Sequence, residues 1–415
     1  MNVSKAVNIA DLRLQAKRRL PKVIFDLVDS ASEDELVLAK NIERLRAHTL
    51  IARVLQGVPK REQATTLFGR PYSTFFGIAP MGMIGIVRKD IELSLAEAAH
   101  AAEVPMILSG ASAHALEKVV PKAPGTVWSQ LYAASDPKIT EDLVRRAEAA
   151  GATALVWTVD LPVYSKNDRT IRNGLGIPAT LSLGAKLESL LHPTWIKEYL
   201  TGEMAKMGHW ECYVPKGSSS GEILKFYLSQ KNSMQSWTEM ETLRRLWKGP
   251  LIVKGILNGE DAMRAAELGA DGIIVSNHGG YGLDRAPASI DMLPGIVAAV
   301  GSRLVVMFDG GVRRGSDAII ARCLGAQFVF VGRAALYGAA AGGMAGASRA
   351  IAVLKDEIDR TMGLIGCALN TSLGAHAVRR PAAPWLPAEL PDLALEPARA
   401  SRPGCVGHTI AGVGR

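Results

Sequence analysis

The strongest constraint on this chain is a rhythm. From residue 74 onward, short apolar runs recur every ~25–30 residues, each followed by a helix-patterned segment. The runs are Phe75–Ala79, Met106–Leu108, Val127–Leu131 and Ala154–Val159. After a long interruption they resume at Leu251–Val253, Ile273–Val275, Leu304–Phe308 and Phe328–Val331. Helical patterns between them include Ile91–Ala102, Ile139–Ala150, Gly259–Leu268 and Asp317–Leu324. Eight strand–helix units close into a barrel more readily than they form an open sheet. The expected fold class is α/β: a (β/α)8 TIM barrel with N-terminal helices and a long insertion after strand 4.

Each run ends in polar or glycine-rich residues. They are Ala79-Pro80-Met81-Gly82, Ser109-Gly110, Gln130-Leu131-Tyr132, Thr158-Val159-Asp160, Lys254-Gly255, Ser276-Asn277-His278, Asp309-Gly310-Gly311 and Gly332-Arg333. In a barrel all eight converge on the face where catalysis occurs.

The flanking sequence divides into pieces. Residues 1–73 read as a helical segment packing on the barrel, with Ser32 expected to cap a helix through Leu36, Val37 and Leu45. Residues 74–380 carry the barrel, closing with helices over 340–380, and residues 381–415 form a Pro/Ala-rich tail expected to be poorly ordered. The interruption over about 170–235 is too long for an ordinary loop. Within it Leu187, Leu190, Leu191, Trp195 and Tyr199 suit one face of an interfacial helix, giving peripheral membrane contact through 180–200; a lid on the barrel or a neighbouring subunit is the alternative.

Bulk composition excludes several classes. A formal charge of +8 is diffuse, and clusters such as Lys17-Arg18-Arg19 lack interleaved aromatics, which argues against a nucleic-acid partner. Cys212, Cys323, Cys367 and Cys405 form no CxxC pair, so neither a metal site nor a disulfide framework is expected. With no signal layout or bilayer-length apolar run, a cytoplasmic protein is expected, peripheral to the membrane's inner face if the insertion touches lipid.

The strand ends suggest chemistry. Asp309-Gly310-Gly311-Val312-Arg313 and Gly332-Arg333 follow strands 7 and 8, where barrels often hold a phosphate. They point to a phosphorylated cofactor, with a structural Asp309–Arg313 ion pair as the alternative. Lys254 suits negative charge on a cofactor ring, unless it is simply solvated. Asp160 and His278 suit a carboxylate–imidazole base, or His278 is a loop residue bonded to a carbonyl. Tyr132 is either a donor to a substrate oxygen or a rim aromatic.

Together these motifs resemble the FMN-dependent 2-hydroxy-acid oxidase and dehydrogenase family, which includes glycolate oxidase, L-lactate dehydrogenase and mandelate dehydrogenase. The resemblance runs from about residue 8 to 378 and includes Gln130-Leu131-Tyr132, Thr158-Val159-Asp160, Val253-Lys254-Gly255, Ser276-Asn277-His278-Gly279-Gly280 and Asp309–Gly315. It implies an FMN cofactor, with Arg333 and the Gly310–Arg313 loop at the phosphate. Ala79, Pro80, Met81, Ser109, Gln130, Thr158, Lys254, Ser276, Asp309 and Gly332 would complete the flavin site. His278 would be the base paired with Asp160, beside Tyr132. It also implies a homo-oligomer and a small-molecule substrate. The electron acceptor stays open: oxygen, a quinone or a carrier protein would each serve.

The departures concern the substrate. Where the family clamps a carboxylate with a tyrosine and two arginines, this chain has Leu27, Asn167 and Tyr281. Losing both guanidinium groups removes bidentate carboxylate recognition. Lys166, Arg169 and Arg285 lie nearby without aligning with the lost positions. A mycofactocin-pathway member also lacks the arginine after SNHGG. The first expectation is therefore oxidation of a CH–OH or CH–NH carbon in a non-standard substrate, such as an amide or modified peptide. The alternative is an ordinary L-lactate/mandelate-type enzyme with a rearranged carboxylate site. A non-catalytic flavin-binding protein is a third reading, which the base pair disfavours.

Overall fold

The computed structural model describes residues 2–175, 181–201 and 207–381. The expected tail therefore lies outside the described residues except for Pro381. Three helices come first: α1 (Ile9–Arg19), α2 (Lys22–Asp29) and α3 (Leu36–Ala47). Asn8 caps α1 by accepting a hydrogen bond from Asp11 N.

The start of α3 corrects the sequence reading. Ser32 Oγ is buried without a hydrogen-bond partner, and Glu35 occupies the cap position with φ +62° and no side-chain cap. Asp284 supplies the missing acceptor instead. Its carboxylate receives the Asp34 amide at 3.1 Å and the Val37 amide at 3.3 Å. A carboxylate here also complements the positive end of the helix. The cap thus ties α3 to the loop after the sixth barrel strand.

The barrel strands are β1 (Phe76–Ile78), β2 (Met106–Leu108), β3 (Val127–Leu131), β4 (Leu155–Thr158), β5 (Leu251–Ile256), β6 (Gly272–Val275), β7 (Val305–Phe308) and β8 (Phe328–Val331). Each pairs in parallel with the next, and β8 pairs with β1, closing an eight-stranded barrel. Their continuous apolar sequences follow from burial on both faces. Trp128 meets Phe330 edge to face at 5.4 Å between centroids. A hairpin, Thr65–Leu67 with Arg70–Tyr72, sets Phe68 against Trp128.

Outside the strands lie α4 (Ile91–Ala101), α5 (Pro137–Ala149) and, within the insertion, α6 (Asp168–Arg172), α7 (Leu183–Ser189), α8 (Pro193–Thr201) and α9 (Ser220–Ser229). Then come α10 (Thr238–Leu246), α11 (Gly259–Glu267), α12 (Ser289–Val300), α13 (Gly315–Cys323) and α14 (Arg333–Leu364). The closing helix α14 bends at Gly342-Gly343, where both residues leave helical geometry.

The insertion does two things. Met207, Trp210, Ile223 and Tyr227 form a small apolar cluster with Ala111 and Ala134, and Trp210 Nε1 donates to Gly110 O at 2.8 Å. This part covers the barrel mouth. The expected single interfacial face is not formed: α7 and α8 are separate helices. Trp195 turns inward, 7% exposed, donating to Ile86 O and stacking on Tyr199. Leu187, Leu190 and Leu191 stay exposed.

Candidate active site

Three strand ends are bonded into one network at the barrel's C-terminal mouth. Lys254, 2% exposed, donates from Nζ to Ser276 Oγ at 2.9 Å and pairs with Asp309 Oδ2 at 3.4 Å. Ser276 Oγ also accepts the His278 amide at 3.0 Å. The alternative Asp309–Arg313 ion pair is not formed, because Asp309 faces Lys254. Asp317 instead accepts the Arg313 and Arg314 amides.

His278 carries a left-handed backbone, φ +56°, followed by Gly279 at +60°. A non-glycine residue in that region is strained, and such strain persists where surroundings over-determine it. Here they do. Asn277 exchanges two side-chain hydrogen bonds with Asn41 of α3, at 2.8 and 2.7 Å. Ser32 N donates to Gly280 O at 2.9 Å.

The result is a three-residue line. His278 Nδ1 lies 2.9 Å from Asp160 Oδ1, and His278 Nε2 lies 3.3 Å from Tyr132 Oη. Burial alone would raise the Asp160 carboxyl, but His278 and Lys254 outweigh it and hold the group below the ordinary carboxylate range. Asp160 is therefore anionic at neutral pH, which directs the Nδ1–H toward it and leaves the Nε2 lone pair outward. Gly255 makes the approach possible. At φ +109°, where β5 shifts register, a Cβ would fall 2.5 Å from Asp160 Cβ.

His278 and Tyr132 face a cavity of about 310 Å³. From the cofactor set, Ala79, Pro80, Met81, Lys254, Asp309, Gly310, Gly311, Arg313, Gly332 and Arg333 line it, as do Leu27, Tyr132, His278 and Tyr281. Ser109, Gln130, Thr158 and Ser276 stand at the strand ends outside this lining. Gln130 there donates to Thr158 Oγ1 at 2.9 Å and accepts from Gly110 N at 3.3 Å. Asn167 is also outside it, capping α6 through Thr170 N and donating to Ser30 Oγ.

Sequence reasoning missed Leu161, Tyr164, Ser165 and Tyr227 in the cavity wall. It also missed the supporting residue Asn41. Position after the TVD strand could have flagged Leu161 and Tyr164; no sequence signal pointed to Tyr227.

The residues present fit FMN. Arg313 and Arg333 both line the cavity beside Gly310-Gly311 and Gly332, and neither pairs with a carboxylate among the described residues. Arg313 donates to Val312 O, and burial pulls its pKa down from the usual value. Arg333 donates to the carbonyls of Val28, Gly279 and Ser30. Two desolvated guanidinium groups without an anion suit a phosphate, and Ala79, Pro80 and Met81 give an apolar wall for a ring system. Lys254 would hold its charge against that ring.

Comparison with known proteins agrees. The pattern of the FMN-dependent dehydrogenase family matches residues 16–380. L-lactate dehydrogenase of Caulobacter vibrioides is 36% identical over 375 residues, covering 89% of this chain and 98% of that one. L-lactate oxidase of Nostoc sp. is 37% identical over 369 residues, covering 88% and 96%. The crystal structure of the monotopic membrane protein (S)-mandelate dehydrogenase superposes with a TM-score of 0.87 at 35% identity, covering 91% of this chain and all of that one. The chain belongs to the FMN-dependent dehydrogenase family. It is an FMN-dependent oxidoreductase acting on CH–OH groups.

Proposed function

We propose that the protein oxidises a 2-hydroxy acid of the lactate or mandelate type to the corresponding 2-oxo acid. The single observation carrying this is the Asp160–His278–Tyr132 line, whose His278 and Tyr132 are in the cavity wall. In this reading His278 Nε2 accepts a proton from the substrate's carbinol centre, and Asp160 stabilises the imidazolium that results. Tyr132 Oη, beside His278 Nε2, hydrogen-bonds the reacting oxygen. FMN, when bound, would take up the two electrons and the second proton. Lys254, held by Ser276 and Asp309, keeps a positive charge where negative charge develops. Relatives matching over nearly their whole length are lactate and mandelate enzymes, which moves the ordinary hydroxy acid ahead of the amide or modified-peptide substrate expected from sequence.

One observation favours that second reading. Leu27 and Tyr281 are in the wall, and the Tyr281 hydroxyl is already used, donating to Leu27 O. Neither can pair with a carboxylate as a guanidinium does. Anaerobic bleaching of the flavin with lactate, mandelate and mandelamide separates the two. Bleaching by an acid supports the first reading, and bleaching by the amide alone refutes it.

We also infer a peripheral membrane contact through α7 and α8. Leu183, Leu187, Leu190, Leu191 and Leu200 are all more than half exposed, an unusual density of solvent-facing leucine. No helix among the described residues is long and apolar enough to cross a membrane. Co-sedimentation with anionic vesicles should fall when Leu190 and Leu191 are both replaced by serine, and equal sedimentation refutes the contact.

A further inference from the structure

A 2-hydroxy acid brings a carboxylate into a wall whose expected clamps are leucine and tyrosine, so the cation that receives it has to come from elsewhere. This inference rests on the hydroxy-acid reading above. Most nearby cations are already engaged. Lys254 is bonded to Ser276 and Asp309, and Arg313 and Arg333 belong to the phosphate end. Arg169 is paired with Asp26, Asp29 and Glu35, and Lys166 with Asp168. Arg285 is exposed to solvent and absent from the cavity lining.

Lys231 differs from all of these. It follows α9 in the insertion and is pinned behind Tyr132 by a backbone bridge to Ala134 and by Ser135 N donating to Gln230 O at 2.9 Å. Its Nζ sits 5.2 Å from the Tyr132 ring centroid and 4.9 Å from that of Tyr164. Two aromatic faces hold an ammonium by their quadrupoles without neutralising it. Among the described residues no carboxylate pairs with it, and burial lowers its pKa while Asp160 works the other way. A small side pocket containing Lys231 shares Tyr132, Tyr164 and Tyr227 with the main cavity. The ammonium is therefore separated from the cavity by the rings that form its wall. A flexible four-carbon stem allows it to move past them.

We propose that Lys231 receives the substrate carboxylate, replacing from the insertion the charge that Asn167 and Tyr281 do not supply. The tyrosine pair stores the ammonium beside the cavity, and an anionic substrate draws it in. Lys231 is then a specificity-determining residue, discriminating a hydroxy acid from its amide by charge.

The test uses holoenzyme with FMN bound, comparing Lys231→Met and Lys231→Arg with wild type. Anaerobic stopped-flow flavin reduction gives the rate constant over Kd for mandelate and for mandelamide. In K231M the mandelate-to-mandelamide ratio should fall at least about tenfold, as expected for losing a hydrogen bond to a charged group. K231R should restore most of it. A fall shared equally by acid and amide means that Lys231 only packs the tyrosines, and overturns the proposal, as does an unmoved ratio. If the wild-type flavin is reduced by mandelamide but by neither mandelate nor lactate, the hydroxy-acid reading fails and takes this inference with it. That result is visible in wild type alone, so the two failures are distinguishable.

Discussion

Replacing Asp160 with asparagine tests the Asp160–His278–Tyr132 line with little change of shape. His278 Nδ1 and Asp160 Oδ1 are 2.9 Å apart, and Asp160 Oδ2 is buried without a partner. The charge centres of carboxylate and imidazolium then lie about 4 Å apart, where a unit pair is worth about 4 kcal/mol at an effective dielectric constant near 20. Asparagine keeps one acceptor, and a neutral hydrogen bond recovers about 1 kcal/mol. The remaining loss of about 3 kcal/mol corresponds to roughly a hundredfold slower proton abstraction. The assay is the limiting rate of anaerobic flavin reduction, with bound FMN quantified by absorbance. The phosphate end is untouched, so flavin content should match wild type. A reduction rate within about threefold of wild type, with full flavin content, refutes the argument that Asp160 stabilises a charged His278.

Three further expectations follow from other parts of the structure. His209 is buried with an unpartnered Nε2, and burial, reinforced by Arg146, lowers its pKa from 6.5 to about 4. The folded state therefore binds fewer protons than the unfolded state between those values, so stability should fall as pH drops through that window, by at most about 3 kcal/mol. Thermal melts of H209Q should lose less stability than wild type between pH 7 and pH 5; parallel losses would refute the assignment. Gly255→Ala places a Cβ 2.5 Å from Asp160 Cβ at φ +109°, so both melting temperature and flavin reduction should drop, the latter at least about tenfold. Arg333→Lys loses the planar fork that reaches Val28, Gly279 and Ser30, so FMN affinity should fall at least about tenfold on titration, and unchanged affinity would remove Arg333 from the phosphate site.

The barrel was legible because its information is local and repeated. Val127–Leu131 and Phe328–Val331 read as strands from a few residues each, and both have the expected bounds. What failed depended on long-range contacts. Ser32 had the chemistry of a cap, yet the acceptor at α3 is Asp284, about 250 residues away in sequence. Leu187, Leu190, Leu191, Trp195 and Tyr199 have a helical spacing, yet the chain breaks between α7 and α8. Pro193 opens α8, and the Trp195 indole turns in to Ile86 O instead of extending the exposed leucine face.

The same distinction runs through the site. Asp160 and His278 are 118 residues apart, but a barrel brings all its strand ends to one mouth, so a repeat pattern converts that separation into a 2.9 Å contact. Residues outside the repeat have no such rule. Asn167, expected from sequence at a substrate clamp position, serves as a helix cap. Tyr281 turns its hydroxyl to Leu27 O and its ring beneath Arg333, 4.9 Å from the guanidinium carbon. Both therefore reinforce the scaffold where a charged pair would have faced substrate. Lys231 comes from the insertion, whose course no periodicity predicts, and only its two ring contacts reveal that a cation stands beside Tyr132. Reaction chemistry here follows from the repeat, while on the Lys231 proposal recognition of the substrate carboxylate comes from the segment that interrupts it. Exchanging the insertion between relatives should therefore move substrate preference more than the rate of proton abstraction.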